Sequence, residues 1–139
     1  MNNSYQFFHM ETYAIKPKKG TLRPSAEAVA RECQRAEKSF PHIKNPLEPE
    51  LLYGIQPLDA LAQTRELIKD CKDNLGRKLR ADSQVISMGV ASINVDSNDE
   101  AWESDEVKKW IQDTTNFLKN RFGESFASLL AHKDEEKCH

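Results

Sequence analysis

At 139 residues, with 38% hydrophobic and 30% charged side chains, the chain fits one domain with a real core and is too apolar for a disordered tail. No apolar run approaches the roughly 20 residues of a membrane-spanning helix, so no membrane partner is expected. The net charge of -2 excludes a polycation but averages two unlike parts: residues 16 to 80 hold 14 Lys/Arg against 9 Asp/Glu, and residues 81 to 139 hold 6 against 12. The basic part could meet phosphate, and a solvated surface is the alternative.

The N-terminus MNNSYQFFHMETY has no basic region followed by an apolar core and a small-residue cleavage site, so a cytoplasmic location is expected. Cys33, Cys71 and Cys138 form no CxxC pair and read as reduced thiols.

In chain order, Tyr5, Phe7, Phe8, Tyr13 and Ile15 alternate with polar residues and predict a half-buried strand over 4–15. Pro17, Gly20 and Pro24 make 16–24 a loop, whose Lys16, Lys18, Lys19 and Arg23 are solvated unless nucleic acid lies nearby. Ser25 can cap a helix reaching about Lys38, with Arg31, Glu32 and Arg35 off its apolar stripe. Pro41, Pro46 and Pro49 keep 40–50 extended or turning. Leu51 to Tyr53 could form a short strand. Pro57 suits a first helical position, and Leu61, Thr64, Leu67, Ile68, Cys71 and Leu75 carry the helical period to Gly76, a candidate C-cap.

Arg77 to Arg80 then lead into QVISMGVASINV, where little polar alternation predicts a strand covered on both faces. A loop is expected at 96–100. Ser104, Asp105 and Glu106 have the composition of a helix start, and Val107, Trp110, Ile111, Thr114, Phe117, Leu118 and Phe122 trace one apolar face up to Gly123. That Trp and Phe stripe reads as core. Single strands separated by single helices give an α/β (α+β layered) domain with helices packed on a sheet. No phosphate-binding glycine loop, dinucleotide fingerprint or esterase elbow is present.

The last fifteen residues, SFASLLAHKDEEKCH, concentrate chemistry. Phe126, Leu129 and Leu130 form one strand's worth of apolar residues, and alternation puts Phe126, Ser128, Leu130 and His132 on one face. His132, Asp134, Glu135 and His139 follow. A strand, tight turn and returning strand could bring the two imidazoles to one point for a divalent metal, although two histidines fall short of a ligand set and an acidic solvated turn is the alternative.

The segment HKDEEKCH resembles the metal motif of the Mob/Pre plasmid mobilisation and recombination family, H-x-D-E-x-x-P-H-x-H. His132, Asp134, Glu135 and His139 match in register, and Cys138 stands in place of the usual proline. The preceding RKLRADSQVISMGVAS, the helix ending in FLKNRFGE and SFASLLAH follow the family's order, so the likeness spans roughly residues 25 to 139. It implies the N-terminal part of a relaxase with the histidine-hydrophobe-histidine endonuclease fold, an antiparallel sheet with helices packed on it. Such enzymes nick one strand at a plasmid origin and stay attached to the 5' phosphate. Three imidazoles would hold Mn²⁺ or Mg²⁺, which polarises the scissile phosphate while a side chain displaces the 3' oxygen.

On this resemblance His132 and His139 are two metal ligands, Glu135 orients an imidazole or metal-bound water, and Asp134 is a turn residue. The third ligand would fall two residues after His139, so the resemblance implies an incomplete site, a missing returning strand and a fragment. The family's H-N-x-R nucleophile motif falls at Glu32-Cys33-Gln34-Arg35, where only Arg35 agrees and Glu32 occupies the nucleophile's place; His42, Tyr5 or Tyr13 would serve under another register. Arg35 binds phosphate or else pairs with Glu32 or Glu37 on an exposed helix face. Lys16, Lys18, Lys19, Arg77, Lys78 and Arg80 are the expected contacts to single-stranded or supercoiled origin DNA. An uncovered sheet edge would favour self-association and poor solubility.

Overall fold

The structure, a computed structural model, describes residues 6–36 and 47–139. Its elements are β1 (Gln6–Ala14), α1 (Ala26–Cys33), β2 (Glu50–Gly54), α2 (Pro57–Lys69), β3 (Gln84–Asp96), α3 (Asp99–Glu103), α4 (Asp105–Phe122), a 3-10 turn (Gly123–Ser125), β4 (Ser128–Ala131) and β5 (Lys137–Cys138). All strand pairs are antiparallel, in two sheets ordered β1-β3-β5 and β2-β4, and helices pack on them, an α+β arrangement. Among the described residues no helix is long and apolar enough to cross a membrane.

Residues alternating along β3 reach different helix pairs. Ile86 and Met88 pack beside Ala26, Ala30 and Leu61 of α1 and α2. Ala91, Ile93 and Val95, of the other parity, pack with Trp102, Val107 and Trp110 of α3 and α4. Period two puts these sets on opposite faces, so the sheet lies between two helical layers. Gly89 is fixed by closeness: a Cβ there would sit 2.5 Å from the His9 carbonyl oxygen of β1.

Several expectations change at their boundaries. Helix α1 ends at Cys33 rather than near Lys38, because Arg35 takes the left-handed conformation (φ 53°). The Arg35 N–H bonds the Glu32 carbonyl and the Ala36 N–H bonds the Arg31 carbonyl, a paired bonding that closes a helix end. Helix α2 stops at Lys69, since Asp73 Oδ1 accepts from the N–H groups of Leu75 and Arg77 and makes Gly76 a turn residue instead of a cap. The loop expected at 96–100 gives way at Asp99 to α3, capped by Asn98, whose side chain accepts from Ala101 N–H.

The expectation that β3 is covered on both faces along its length is corrected. Ile93 is 3% exposed whereas Val90 is 47% exposed. Strand β5 meets β3 only at Ile93 and Asp96, so Gln84 to Ser92 are paired on the β1 side alone among the described residues. The cap and stop of α4 are as read: Ser104 accepts from Val107 N–H, and Gly123 has φ 56°. Phe117 leaves the expected core stripe. It is exposed and meets the Phe8 ring edge-on, ring centroids 5.9 Å apart.

Candidate functional site

The left-handed turn after α1 aims Arg35 across the molecule at the terminal acidic turn. Its Nε donates to Asp134 Oδ2 at 2.8 Å and its Nη2 to Asp134 Oδ1 at 2.9 Å, a bidentate fork, with Nη2 also 3.0 Å from Glu135 Oε1. The two side chains of the fork are 3% and 1% exposed. An arginine in the left-handed region costs on the order of 1–2 kcal/mol, and such strain persists where the surroundings over-determine it. Here the Glu32 carbonyl also accepts from Arg35 Nη1 at 2.8 Å. The expected exposed setting for Arg35 on a helix face gives way to a buried link with Asp134; Glu37, one of its expected partners, lies outside the described residues.

Asp134 is accordingly more than a turn residue. Its Oδ2 also accepts from Leu47 N–H at 3.0 Å. Burial pushes this carboxyl up, but the Arg35 hydrogen bonds and the Leu47 N–H outweigh it and hold the group below its usual range. Those same carboxylates raise Arg35 further above its already high value.

The turn folds back on β4. The His132 N–H bonds the His139 carbonyl at 2.8 Å, the juxtaposition expected from a strand, tight turn and return; the returning strand that the resemblance implied to be missing is present over the two residues of β5. Ser97 N–H to the Glu136 carbonyl, Ser97 Oγ to the Lys133 carbonyl and an ion pair of Lys137 with Asp96 fasten it to the end of β3. Cys138 is fully buried beside Ile93 and Trp110.

Both histidine rings are partly buried, and burial is the main cause that lowers the basicity of each. At neutral pH they are uncharged imidazoles, the form a metal requires. His132 Nε2 lies 2.7 Å from the Cys33 carbonyl oxygen. A carbonyl only accepts, so Nε2 carries the proton and Nδ1 keeps the lone pair. His139 Nδ1 is buried with no hydrogen-bond partner among the described residues.

Two neutral imidazoles, one with an orphaned ring nitrogen and one oriented by a carbonyl, suit two positions of a divalent cation's shell. Mn²⁺ or Mg²⁺ held there by His132 and His139 would act as a Lewis acid on a phosphate oxygen. Among the described residues no group of three or more His, Cys, Asp or Glu side chains surrounds one point, and Glu135 Oε1 is engaged by Arg35. The remaining positions would fall to water or substrate oxygens.

Glu32 occupies the last turn of α1, joined to the site through its carbonyl and Arg35. Tyr13 packs beside Ala26, Ala30 and Leu61, its hydroxyl 3.3 Å from Glu11 and its ring 5.8 Å from the Arg23 guanidinium. Tyr5 and His42 lie outside the described residues.

The six basic residues are exposed at the other end of β1 and β3. Lys16 N–H bonds the Ala81 carbonyl at 3.0 Å, which brings the loop of Lys16, Lys18 and Lys19 beside that of Arg77, Lys78 and Arg80. Asp73 holds Arg77 at 2.9 Å and Asp82 holds Arg80 at 3.0 Å. From Gln84 to Ile93 the strand covers about 30 Å, so these loops stand well away from the histidines. The parts that sequence reasoning missed are Asp134 as a buried anion, the Cys33 carbonyl and the Leu47 N–H. Asp134 alone had a signal, its place in the matched motif. No protein-family model, curated protein or solved structure matches the chain.

Proposed function

We propose that this chain is a relaxase-like domain that binds plasmid origin DNA and nicks one strand by metal-assisted transesterification. The observation that carries the reading is the Arg35 fork: it joins the stretch aligned with the family's nucleophile motif to the Asp134–Glu135 pair of the metal motif, 99 residues away. The imidazoles of His132 and His139 flank the same turn, the first two residues before Asp134 and the second four after Glu135.

In this reading DNA reaches the site from the basic loops. Glu32 attacks phosphorus as the carboxylate, the bond to the 3' oxygen breaks, that oxygen leaves as an alkoxide and takes a proton from solvent water to give the 3' hydroxyl, and the 5' phosphate remains as an acyl phosphate. His132 and His139 hold the cation, Glu135 with Arg35 fixes the turn that carries them, and Arg35 acts as a positioning residue.

Nicking of supercoiled origin plasmid in Mn²⁺ tests it, using this chain, a version extended by two residues ending in histidine, and Glu32→Gln in each. Relaxed circles with a protease-sensitive 5' attachment that vanishes in E32Q are expected. No nicking by either version, with origin binding retained, supports a second reading, a DNA-binding domain without chemistry. The two-imidazole donor set, with no third ligand side chain among the described residues, favours that alternative. Both readings require salt-dependent binding. If all six basic residues meet phosphates, log affinity for a single-stranded origin oligonucleotide falls against log salt with a slope of about -4. An unchanged anisotropy titration between low and high salt removes both.

A further inference from the structure

Between α2 and β3 the chain makes a small hairpin over 72–78. Lys72 and Lys78 form an antiparallel bridge, the Asp73 N–H bonds the Arg77 carbonyl at 2.8 Å, and the Gly76 N–H bonds the Asp73 carbonyl at 2.9 Å. The Asp73 carboxylate organises the tip: Oδ1 accepts from the Leu75 and Arg77 N–H groups and Oδ2 accepts from Arg77 Nε, each at 2.9 Å. Because Asp73 takes Nε, the two Nη groups are left as the outward end of the guanidinium, on a side chain that is 71% exposed. Arg23, Arg65 and Arg80 differ, since each donates from Nη2 to an oxygen of the protein. Leu75 stands at the apex, 76% exposed, with the exposed Lys72 and Lys78 at the base.

We infer that this hairpin enters the major groove of double-stranded DNA and that Arg77 reads a guanine there. The inference rests on the DNA-binding reading above, common to its catalytic and non-catalytic forms, and names the form of DNA and the base that the domain selects. A two-stranded β-ribbon is a shape that the major groove, about 12 Å wide, admits. A guanidinium that presents two parallel N–H donors matches the N7 and O6 acceptors that guanine alone shows side by side in that groove. Holding Nε on a carboxylate fixes the direction of this fork before binding, so little side-chain freedom is lost when the pair forms. The order of residues along the hairpin fits as well. Lys72 and Lys78 at the base meet the phosphates of the groove's rim, and Leu75 at the apex, which a phosphate does not attract, meets base edges such as the thymine methyl. The Lys16 N–H to Ala81 carbonyl bond sets the loop of Lys16, Lys18 and Lys19 alongside, where it extends the phosphate contacts.

The test selects a preferred duplex from a randomised pool with the full chain, then replaces each guanine of that duplex in turn by 7-deazaguanine, which lacks the N7 acceptor. At one guanine the replacement should weaken binding of the natural chain about 10-fold and binding of Arg77→Ala not at all. This probe alters only the DNA, so it does not depend on how a variant folds. R77A should bind the unmodified site about 10- to 100-fold more weakly with an unchanged salt slope, whereas Lys78→Ala should lower the slope by about 1 and keep the base preference. Asp73→Asn separates orientation from charge: unrelated duplexes should bind more tightly, yet the preference for that guanine should fall toward that of R77A. Equal tightening on every sequence with the preference intact overturns the inference, and so does sensitivity to 7-deazaguanine that survives in R77A. Salt-dependent binding to single strands with no selected duplex overturns it and leaves the proposed function standing; no binding to either form removes both. Binding to phosphatidylglycerol vesicles in preference to any duplex overturns it in favour of an anionic lipid surface.

Discussion

The two lengths of β3 have similar sequences and opposite fates. From Ile93 to Asp96 the strand has β1 or β5 beside it, α3 and α4 packed on it, and the 133–136 turn pinned across its end. From Gln84 to Ser92 it has β1 alone among the described residues. Ile93 is sealed, and Val90, three residues earlier and no more polar in kind, is half open to solvent. The difference teaches that burial along this strand follows the face a residue takes and what packs there: Val90 shares the parity of Ile86 and Met88, whereas Ile93 faces Trp102 and Trp110 and has Cys138 beside it.

Breaking the sealed end should have the largest effect. Trp102→Ala removes a buried indole and its hydrogen bond to Ser97 Oγ, 2.8 Å away, which helps hold the turn. We expect a loss of about 4–5 kcal/mol by urea denaturation. Arg35→Ala follows at about 3 kcal/mol, because Asp134 would be left as a buried anion without its cation. Its signature is local: exchange at His132, Lys137 and Cys138 should accelerate toward that of the open stretch, while α4 is unaffected. Arg35→Lys, which keeps the charge but not the fork, should recover only part of the loss.

Acid should weaken the same end. His132 and His139 sit below the ordinary imidazole range when folded, so the unfolded chain binds protons first. Stability is therefore full above that range and falls as pH drops below about 6.5, toward the lowered folded values. Asp134 adds a second loss below the usual carboxylate range, down to its own depressed value. Melting temperatures between pH 8 and 5 should fall for the natural chain and fall less for the His132→Gln, His139→Gln double variant. The smallest effect sharpens the contrast: Val90→Ala should change stability by no more than about 0.5 kcal/mol, whereas Ile93→Ala should cost about 2–4 kcal/mol.

What could be read from residue order was what short-range periodicity encodes. The stripe of Val107, Trp110 and Leu118, the Ser104 cap and the Gly123 stop all lie within α4 or its flanks and need no distant partner. The doubling back that sets His132 beside His139 was legible for a similar reason, the shortness of the turn. Arg35 and Asp134 were not, since a charged residue reads as solvated unless a partner 99 positions away is known, and an arginine gives no warning of a left-handed backbone. The exposure of Val90 was hidden likewise: a run of apolar residues records that a strand is fit for covering, not that anything covers it.

The hydrogen bond from Lys16 N–H to the Ala81 carbonyl ties two positively charged loops into a single mechanical piece. Their mutual repulsion strains against that tie and is felt most in dilute buffer, where the Debye length grows to about 30 Å at 0.01 M. Since Asp73 and Asp82 already partner Arg77 and Arg80, that repulsion falls mainly to Lys16, Lys18, Lys19 and Lys78, and added salt should relieve it.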